Sequence, residues 1–177
     1  IKIWDLRQHK CAHTLSEHED FIADIRLGPD GRTLLCAGGD GHLSVWNRKS
    51  GKLTAMSDQL EDELLSLQVL KGGRKVLCGT QSGVLQVFSW GDWGDVSDRF
   101  PGHPQSVQCM VKVDEQTVFT CSEDGIIRVV QLQPNKLLGV IGEHEGYPVE
   151  SIDVSFDCHY LASCSHDNTV KFWDVAD

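Results

Sequence analysis

The sequence predicts an all-β fold built from repeated units of four short antiparallel strands. Similar segments close successive units, namely IKIWDL at 1–6, LSVWNR at 43–48, LQVFSW at 85–90, IRVVQL at 127–132 and VKFWDV at 170–175. Each alternates apolar and polar residues, as a half-buried strand does. Their equivalent residues are Trp4, Trp46, Phe88, Val130 and Trp173, in steps of 42, 42, 42 and 43. This steady period predicts repeats that end near residues 6, 48, 90, 132 and 175.

Each period contains two more strand-like segments before its closing segment, and an outer strand opens the repeat. A short polar turn lies directly before each closing segment. Six residues before the closing aromatic or apolar residue, this turn carries Asp40, Asp124 or Asp167, and Ser82 stands at the same position in the second repeat. Apolar segments such as TLLCAG and YLASCS precede these turns, and segments such as IADIRL and VESIDVS lie before those. Turn signals such as GPDG separate them, and no segment has a helical pattern. Each period therefore predicts four strands.

Four strands in a period that ends in Trp-Asp resemble the WD40 repeat, and the resemblance covers the whole chain. It implies a β-propeller, in which four-stranded blades pack face to face around a central channel. We expect three complete blades, a leading half-blade and a trailing blade that lacks its outer strand, as part of a seven-bladed ring. Because the sequence starts at Ile1 inside a motif, we expect residues 1–177 to be a fragment of a longer chain.

Composition restricts the class of ligand. A net charge of −10 and a pI near 5.1 argue against direct binding of nucleic acid, which requires a basic face. No apolar run approaches the roughly 18 residues of a membrane span. The seven cysteines form no CxxC pair, which argues against zinc and favours a reducing, intracellular compartment. The acidic run Glu61-Asp62-Glu63 is better explained as a solvated loop than as a cation site, so no cofactor is expected.

Several His, Ser and Asp residues resemble a hydrolase triad, but their positions repeat with the blades. The WD40 resemblance implies that Asp, His, Ser or Thr, and Trp form one hydrogen-bonded structural tetrad per blade. The last repeat matches it completely, with His144, Ser163, Asp167 and Trp173. Partial matches are His18, Asp40 and Trp46 in the first repeat, where Cys36 stands at the hydroxyl position, and His103, Thr120 and Asp124 in the third. We therefore predict a structural network and no enzyme.

Loops on a rigid fold usually carry binding function. The resemblance implies that the upper rim of the channel is lined by positions after the histidines and before the turn aspartates. These positions are Phe21, Tyr147, Gln81, Glu123 and His166. The two aromatic residues are predicted partner contacts, unless they pack between blades. Trp93, in the loop SWGDWGDVSDRF, is either a further partner contact or folds back over the blade edge.

Two functions are compatible with these features. The segments SWGDWGDVSDRF and IIRVVQLQPNKLLGVIGEH resemble a nucleolar branch of the WD40 family. That resemblance implies a protein of the nucleus and nucleolus, possible also in the cytoplasm, that binds pre-ribosomal factors in ribosomal RNA processing and large-subunit assembly. The alternative is a substrate receptor of a cullin-4 ubiquitin ligase, because Trp4-Asp5-Leu6-Arg7 matches the WDxR motif that docks such receptors on the ligase adaptor. The two functions do not exclude each other, and both act through other proteins.

Overall fold

The computed structural model describes residues 1–176, and all the regular secondary structure in this part of the chain consists of β-strands. The strands are β1 (Lys2–Asp5), β2 (Lys10–Thr14), β3 (Ile22–Leu27), β4 (Thr33–Gly38), β5 (Leu43–Asn47), β6 (Lys52–Met56), β7 (Leu64–Leu70), β8 (Lys75–Thr80), β9 (Val84–Ser89), β10 (Asp98–Pro101), β11 (Val107–Lys112), β12 (Thr117–Ser122), β13 (Ile126–Gln131), β14 (Lys136–Glu143), β15 (Val149–Val154), β16 (Tyr160–Ser165) and β17 (Val170–Asp174). The predicted all-β class is confirmed.

The strands form five antiparallel sheets in chain order. The first sheet holds β1 and β2, the second β3 to β6, the third β7 to β10, the fourth β11 to β14, and the fifth β15 to β17. Within each sheet, every strand pairs with the next strand along the chain. Three sheets are therefore complete four-stranded blades, in the arrangement that the repeat predicts.

Consecutive sheets pack face to face, with an apolar core at each interface. Between the second and third sheets, Leu35 and Val45 pack with Leu67 and Phe88. The inner strands β3, β7, β11 and β15 lie side by side. Side chains of one inner strand form hydrogen bonds with the backbone of the next inner strand. Ser66 Oγ donates to the Val107 carbonyl at 2.9 Å, for example. Burial of apolar area drives this stacking, and these polar contacts align the inner strands.

The closing segments occupy equivalent places in the sheets. Trp46, Phe88 and Val130 are buried and stand opposite Leu34, Val76 and Val118 of the preceding strand. The Asp or Asn that follows has a separate role in the turn. Asn47 Oδ1, for instance, accepts the backbone N–H groups of residues 49 and 50. Apolar packing at the closing position therefore tolerates several side chains, and a short acceptor at the next position caps the turn where Asp or Asn is present.

Antiparallel pairing gives every sheet two ends, each with its own set of connections. The upper segments are 15–21, 39–42, 57–63, 81–83, 102–106, 123–125, 144–148 and 166–169. The lower segments are 6–9, 28–32, 48–51, 71–74, 90–97, 113–116, 132–135 and 155–159. Backbone bonds join neighbouring upper segments, as where the N–H of His103 donates to the carbonyl of Gly83. Residues 1–176 contain no helix long and apolar enough to cross a membrane.

Candidate functional site

A four-residue hydrogen-bonded chain ties the fifth sheet to the loop that precedes it. His144 Nδ1 lies 2.7 Å from Asp167 Oδ2, and His144 Nε2 lies 2.7 Å from Ser163 Oγ. The indole N–H of Trp173 donates to the same Ser163 oxygen at 2.8 Å. The structure thus brings together the four residues that the sequence predicts for this tetrad.

The chemistry of the end members assigns the protons. Indole is a donor only and an ionised carboxylate an acceptor only, so Ser163 donates to His144 Nε2 while His144 Nδ1–H donates to Asp167. Desolvation opposes the charge on Asp167, but hydrogen bonds from Thr169 and His144 outweigh it and lower its pKa to about 2. Asp167 therefore stays ionised at neutral pH, as the chain of donors requires.

The second sheet forms an equally complete tetrad, which sequence analysis missed. His18 Nδ1 lies 2.9 Å from Asp40 Oδ2, as expected, but the hydroxyl comes from Ser44. Ser44 Oγ lies 2.6 Å from His18 Nε2 and accepts the Trp46 indole N–H at 2.7 Å. Cys36 is the strand partner of Ser44, so the hydroxyl comes from the strand opposite to the one that provides it in the fifth sheet. The expectation that Cys36 breaks this tetrad is wrong.

The fourth sheet departs from the predicted tetrad at its aspartate. His103 Nε2 bonds Thr120 Oγ1 at 2.8 Å, as predicted, but Asp124 makes no hydrogen bond with His103. Instead, the Arg128 guanidinium donates to both Asp124 oxygens, at 3.0 and 2.5 Å. His103 Nδ1 is buried without a partner among residues 1–176. Burial, assisted by the nearby Arg128 charge, lowers the pKa of His103 to about 4, which keeps it neutral.

The third sheet has none of the four tetrad residues. The backbone N–H of Leu60 donates to the Gly41 carbonyl, the same bond that His103 and His144 make to Gly83 and Gly125. Leu60 therefore stands in the histidine position. Asp62 accepts hydrogen bonds from the backbone and side chain of Ser82, which occupies the usual aspartate position.

Neither complete tetrad can act as a hydrolase triad. Ser163 and Ser44 are 1% and 0% exposed, and each oxygen is already held by an indole and an imidazole. A nucleophile must reach its substrate, and these hydroxyls lie inside the packed blades. Among residues 1–176, no group of three or more His, Cys, Asp or Glu side chains is placed to hold a metal ion.

Charge is distributed unequally between the two ends of the sheets. The upper segments contain twelve carboxylates and no Lys or Arg, namely Glu17, Glu19, Asp20, Asp40, Asp58, Glu61, Asp62, Glu63, Glu123, Asp124, Glu145 and Asp167. The lower segments contain Arg7, Arg32, Arg48, Lys49, Lys71 and Arg74 against Asp30, Asp92, Asp95, Asp114, Glu115 and Asp157. The lower end is thus balanced, and the negative charge is concentrated at the upper end, which we call the acidic face.

The predicted rim residues lie on the acidic face. Phe21 and Tyr147 are 49% and 52% exposed, and Gln81, Glu123 and His166 are exposed as well. The two aromatics are not equivalent, however. The Phe21 carbonyl accepts from Gly39, whereas the carbonyl that accepts from His166 belongs to Pro148, one residue after Tyr147. The Phe21 ring lies over Gly39, where any Cβ would collide with it.

Trp93 and Arg7 have contrasting surroundings. Trp93 is half-buried against the core between the second and third sheets, and meets Trp90 edge to face at 5.1 Å between ring centroids. Its loop thus folds back over the blade, the second of the two predicted arrangements. The Arg7 side chain, directly after β1 at the lower end, is 92% exposed. It lines a shallow cavity of about 460 Å³ together with Arg48 and Lys49.

Comparison with known proteins gives a consistent result. A family model described as WDR55 matches residues 1–177. The chain is 43% identical over 176 residues to WD repeat-containing protein 55 of Arabidopsis thaliana, covering 99% of this chain and 50% of that protein. It is 41% identical over 175 residues to the Rattus norvegicus protein of the same name (99% and 46%), and 44% identical over 180 residues to WD repeat-containing protein JIP5 of Cryptococcus neoformans (100% and 48%). The chain spans about half the length of the curated relatives it matches.

Proposed function

The chain belongs to the WDR55 family of WD repeat proteins, and we propose that it is a non-enzymatic scaffold that binds pre-ribosomal proteins during ribosomal RNA processing and large-subunit assembly. The observation that carries the proposal is the acidic face, with twelve carboxylates and no Lys or Arg in its loops. The assignment to the nucleolus and to ribosome assembly rests on the resemblance of the segments at 89–100 and 126–144.

The acidic face favours basic proteins as partners. A surface of one sign raises the association rate of a partner of the opposite sign and rejects partners of like charge. A phosphate backbone is repelled by these loops, so contact with RNA through this face is disfavoured. We therefore propose that the role in RNA processing is exercised through basic proteins.

The proposal is tested by affinity purification of the full-length protein with mass spectrometry. Glu19 and Glu63 are exposed residues of the acidic face whose carboxylates make no hydrogen bond among residues 1–176. Changing both to Gln removes two charges, and we expect lower recovery of pre-ribosomal proteins. The matched control changes Asp92 and Asp95 to Asn at the lower end, and recovery should be retained. Equal recovery from all three proteins, or no pre-ribosomal proteins with wild type, would refute the proposal.

A second candidate is supported by Arg7. Its exposed guanidinium stands just beyond a turn in which Asp5 Oδ1 accepts the backbone N–H of Arg7 at 2.9 Å. An exposed arginine held by an ordered turn can give a partner the paired hydrogen bonds that lysine cannot copy. We therefore retain, as an alternative, docking on the adaptor of a cullin-4 ubiquitin ligase, with this chain as the substrate receptor.

The alternative is tested with Arg7→Ala and Arg7→Lys in the full-length protein. If Arg7 is a docking hot spot, Arg7→Ala should weaken adaptor binding by about 2 kcal/mol, which is about thirtyfold, and lysine should not restore it. Folding should be unchanged, because exposed charges contribute little to stability. Wild-type protein that recovers no adaptor, or an alanine variant that recovers it normally, contradicts the alternative.

A further inference from the structure

The third sheet contains a cavity where the other complete blades hold a tetrad. With Leu60 in the histidine position and Ser82 in the aspartate position, the space between the loop 57–63 and the sheet is not filled by an imidazole. A cavity of about 450 Å³ opens there on the acidic face. Its walls are polar for the most part, and the residues that matter are Leu60, Glu61, Asp62, Ser82, Gln86 and Arg99.

Gln86 is the buried polar group of this cavity. It is only 7% exposed, and its Oε1 has no hydrogen-bond partner among residues 1–176. A buried amide oxygen without a hydrogen-bond partner is unfavourable, so a bound donor would be stabilised there. The terminal amide torsion of glutamine is soft, so a small rotation can present this oxygen to the cavity. Gln86 thus provides an acceptor that the chain itself does not use.

The charge of the cavity favours a cation. Glu61 and Asp62 contribute two carboxylates, and Arg99, the strand partner of Gln86, contributes one guanidinium at the exposed outer strand. Ser82 donates twice to one oxygen of Asp62, which orients that carboxylate and leaves its other oxygen free to accept. A ligand that is positive and rich in N–H donors complements this set of acceptors.

The fourth sheet shows what such a position accepts. Gln86 stands opposite Cys78, as Arg128 stands opposite Thr120 in the next sheet, so the two side chains are equivalent. The guanidinium of Arg128 is buried beside Asp124 and donates to both of its oxygens. A guanidinium is therefore accommodated at this place in the blade when a carboxylate faces it.

We propose that the third-sheet cavity binds the side chain of an arginine from a basic segment of a partner protein, with its guanidinium between Asp62, Glu61 and Gln86. This inference rests on the proposed function, because it identifies a specific site on the acidic face. The planar fork of arginine can bond the free oxygen of Asp62 and the Gln86 oxygen together, which a single ammonium does less well. The rest of the acidic face attracts the segment, and the cavity selects the side chain.

The test is fluorescence anisotropy on the full-length protein, with a fluorescein-labelled Gly-Arg-Gly-Arg-Gly peptide and the same peptide with neutral citrulline in place of arginine. We expect the arginine peptide to bind about tenfold more tightly than the citrulline peptide, since it retains the charge-assisted hydrogen bonds. Asp62→Asn should weaken binding of the arginine peptide about tenfold. Gln86→Arg should abolish it, because the new side chain fills the cavity as Arg128 does in its own blade.

Two matched controls separate the cavity from general acidity. Asp58→Asn removes the same charge from the same loop, and Gln105→Arg makes the same exchange at an exposed site on the acidic face. Both should change the affinity by no more than about threefold, a change of the size expected for a screened surface charge. Thermal melting identifies any variant that fails to fold. If Gln86→Arg does not fold, the affinity of Asp62→Asn for the arginine peptide decides whether the cavity is the site.

The outcomes distinguish this inference from the proposed function. Equal effects of Asp62→Asn and Asp58→Asn, or equal binding of the two peptides, overturn the cavity as a site. Recovery of pre-ribosomal proteins that still depends on Glu19 and Glu63 would then leave the proposed function standing. If recovery does not depend on Glu19 and Glu63, the proposed function is lost, whatever the peptides do.

Discussion

Replacement of Ser44 by alanine should destabilise the second sheet, although Ser44 was not a predicted tetrad residue. Its hydroxyl bridges His18 Nε2 at 2.6 Å and the Trp46 indole at 2.7 Å, inside a site where Ser44 is 0% and Trp46 3% exposed. Alanine leaves both nitrogens without a partner. An unsatisfied buried polar group costs about 1–3 kcal/mol, so with two such groups the variant should lose roughly 2–6 kcal/mol.

A second variant tests the position of the hydroxyl. Cys36 lies directly opposite Ser44, at the place that Ser163 occupies in the fifth sheet. Cys36→Ser combined with Ser44→Ala should therefore rebuild the tetrad in its usual arrangement. We expect the double variant to regain at least half of the stability that Ser44→Ala loses.

Hydrogen–deuterium exchange on the full-length protein is the appropriate measurement, because it reports the stability of one blade. Peptides that cover β5 should exchange faster in Ser44→Ala, whereas peptides that cover β13 should not change. Unaltered exchange at β5 would show that the second-sheet tetrad does not stabilise the blade. A double variant no better than Ser44→Ala would show that positions 36 and 44 are not interchangeable.

Further predictions concern the remaining blades. Asp167→Ala leaves the buried His144 Nδ1 unpaired and should cost about 1–3 kcal/mol in thermal or chemical denaturation; a variant that melts like wild type would contradict the structural role. The pKa of His103 is about 4 in the fold against an ordinary 6.5, so its contribution to stability is complete above pH 6.5 and is lost as the pH falls towards 4. His103→Gln should flatten the melting temperature across that pH range, and an unchanged profile would count against it. Trp93→Ala should lower the melting temperature and leave partner recovery intact, because the ring packs on the core; the reverse pattern would make Trp93 a partner contact.

The sequence by itself determined the all-β class, the four strands of each period and the composition of the fifth-sheet tetrad. These features depend on local patterns. Alternating polarity selects the strand and the buried face, and turn residues mark where each strand ends. A steady period then places equivalent residues at equivalent points, and the WD40 resemblance implies that His144, Ser163, Asp167 and Trp173 form one tetrad, which is how the structure joins them.

Only the tertiary structure decided which polar groups become partners. Ser44, Gln86 and Arg128 occupy one equivalent position, two residues before the closing aromatic or apolar residue, and the sequence marks that position only as polar. Ser44 completes the tetrad of the second sheet, and Gln86 lines the cavity of the third. In the fourth sheet, Arg128 donates to Asp124, which therefore does not bond His103. Hydrogen-bond partners are settled by competition among all groups within reach, and that competition is between residues distant in sequence that packing brings together.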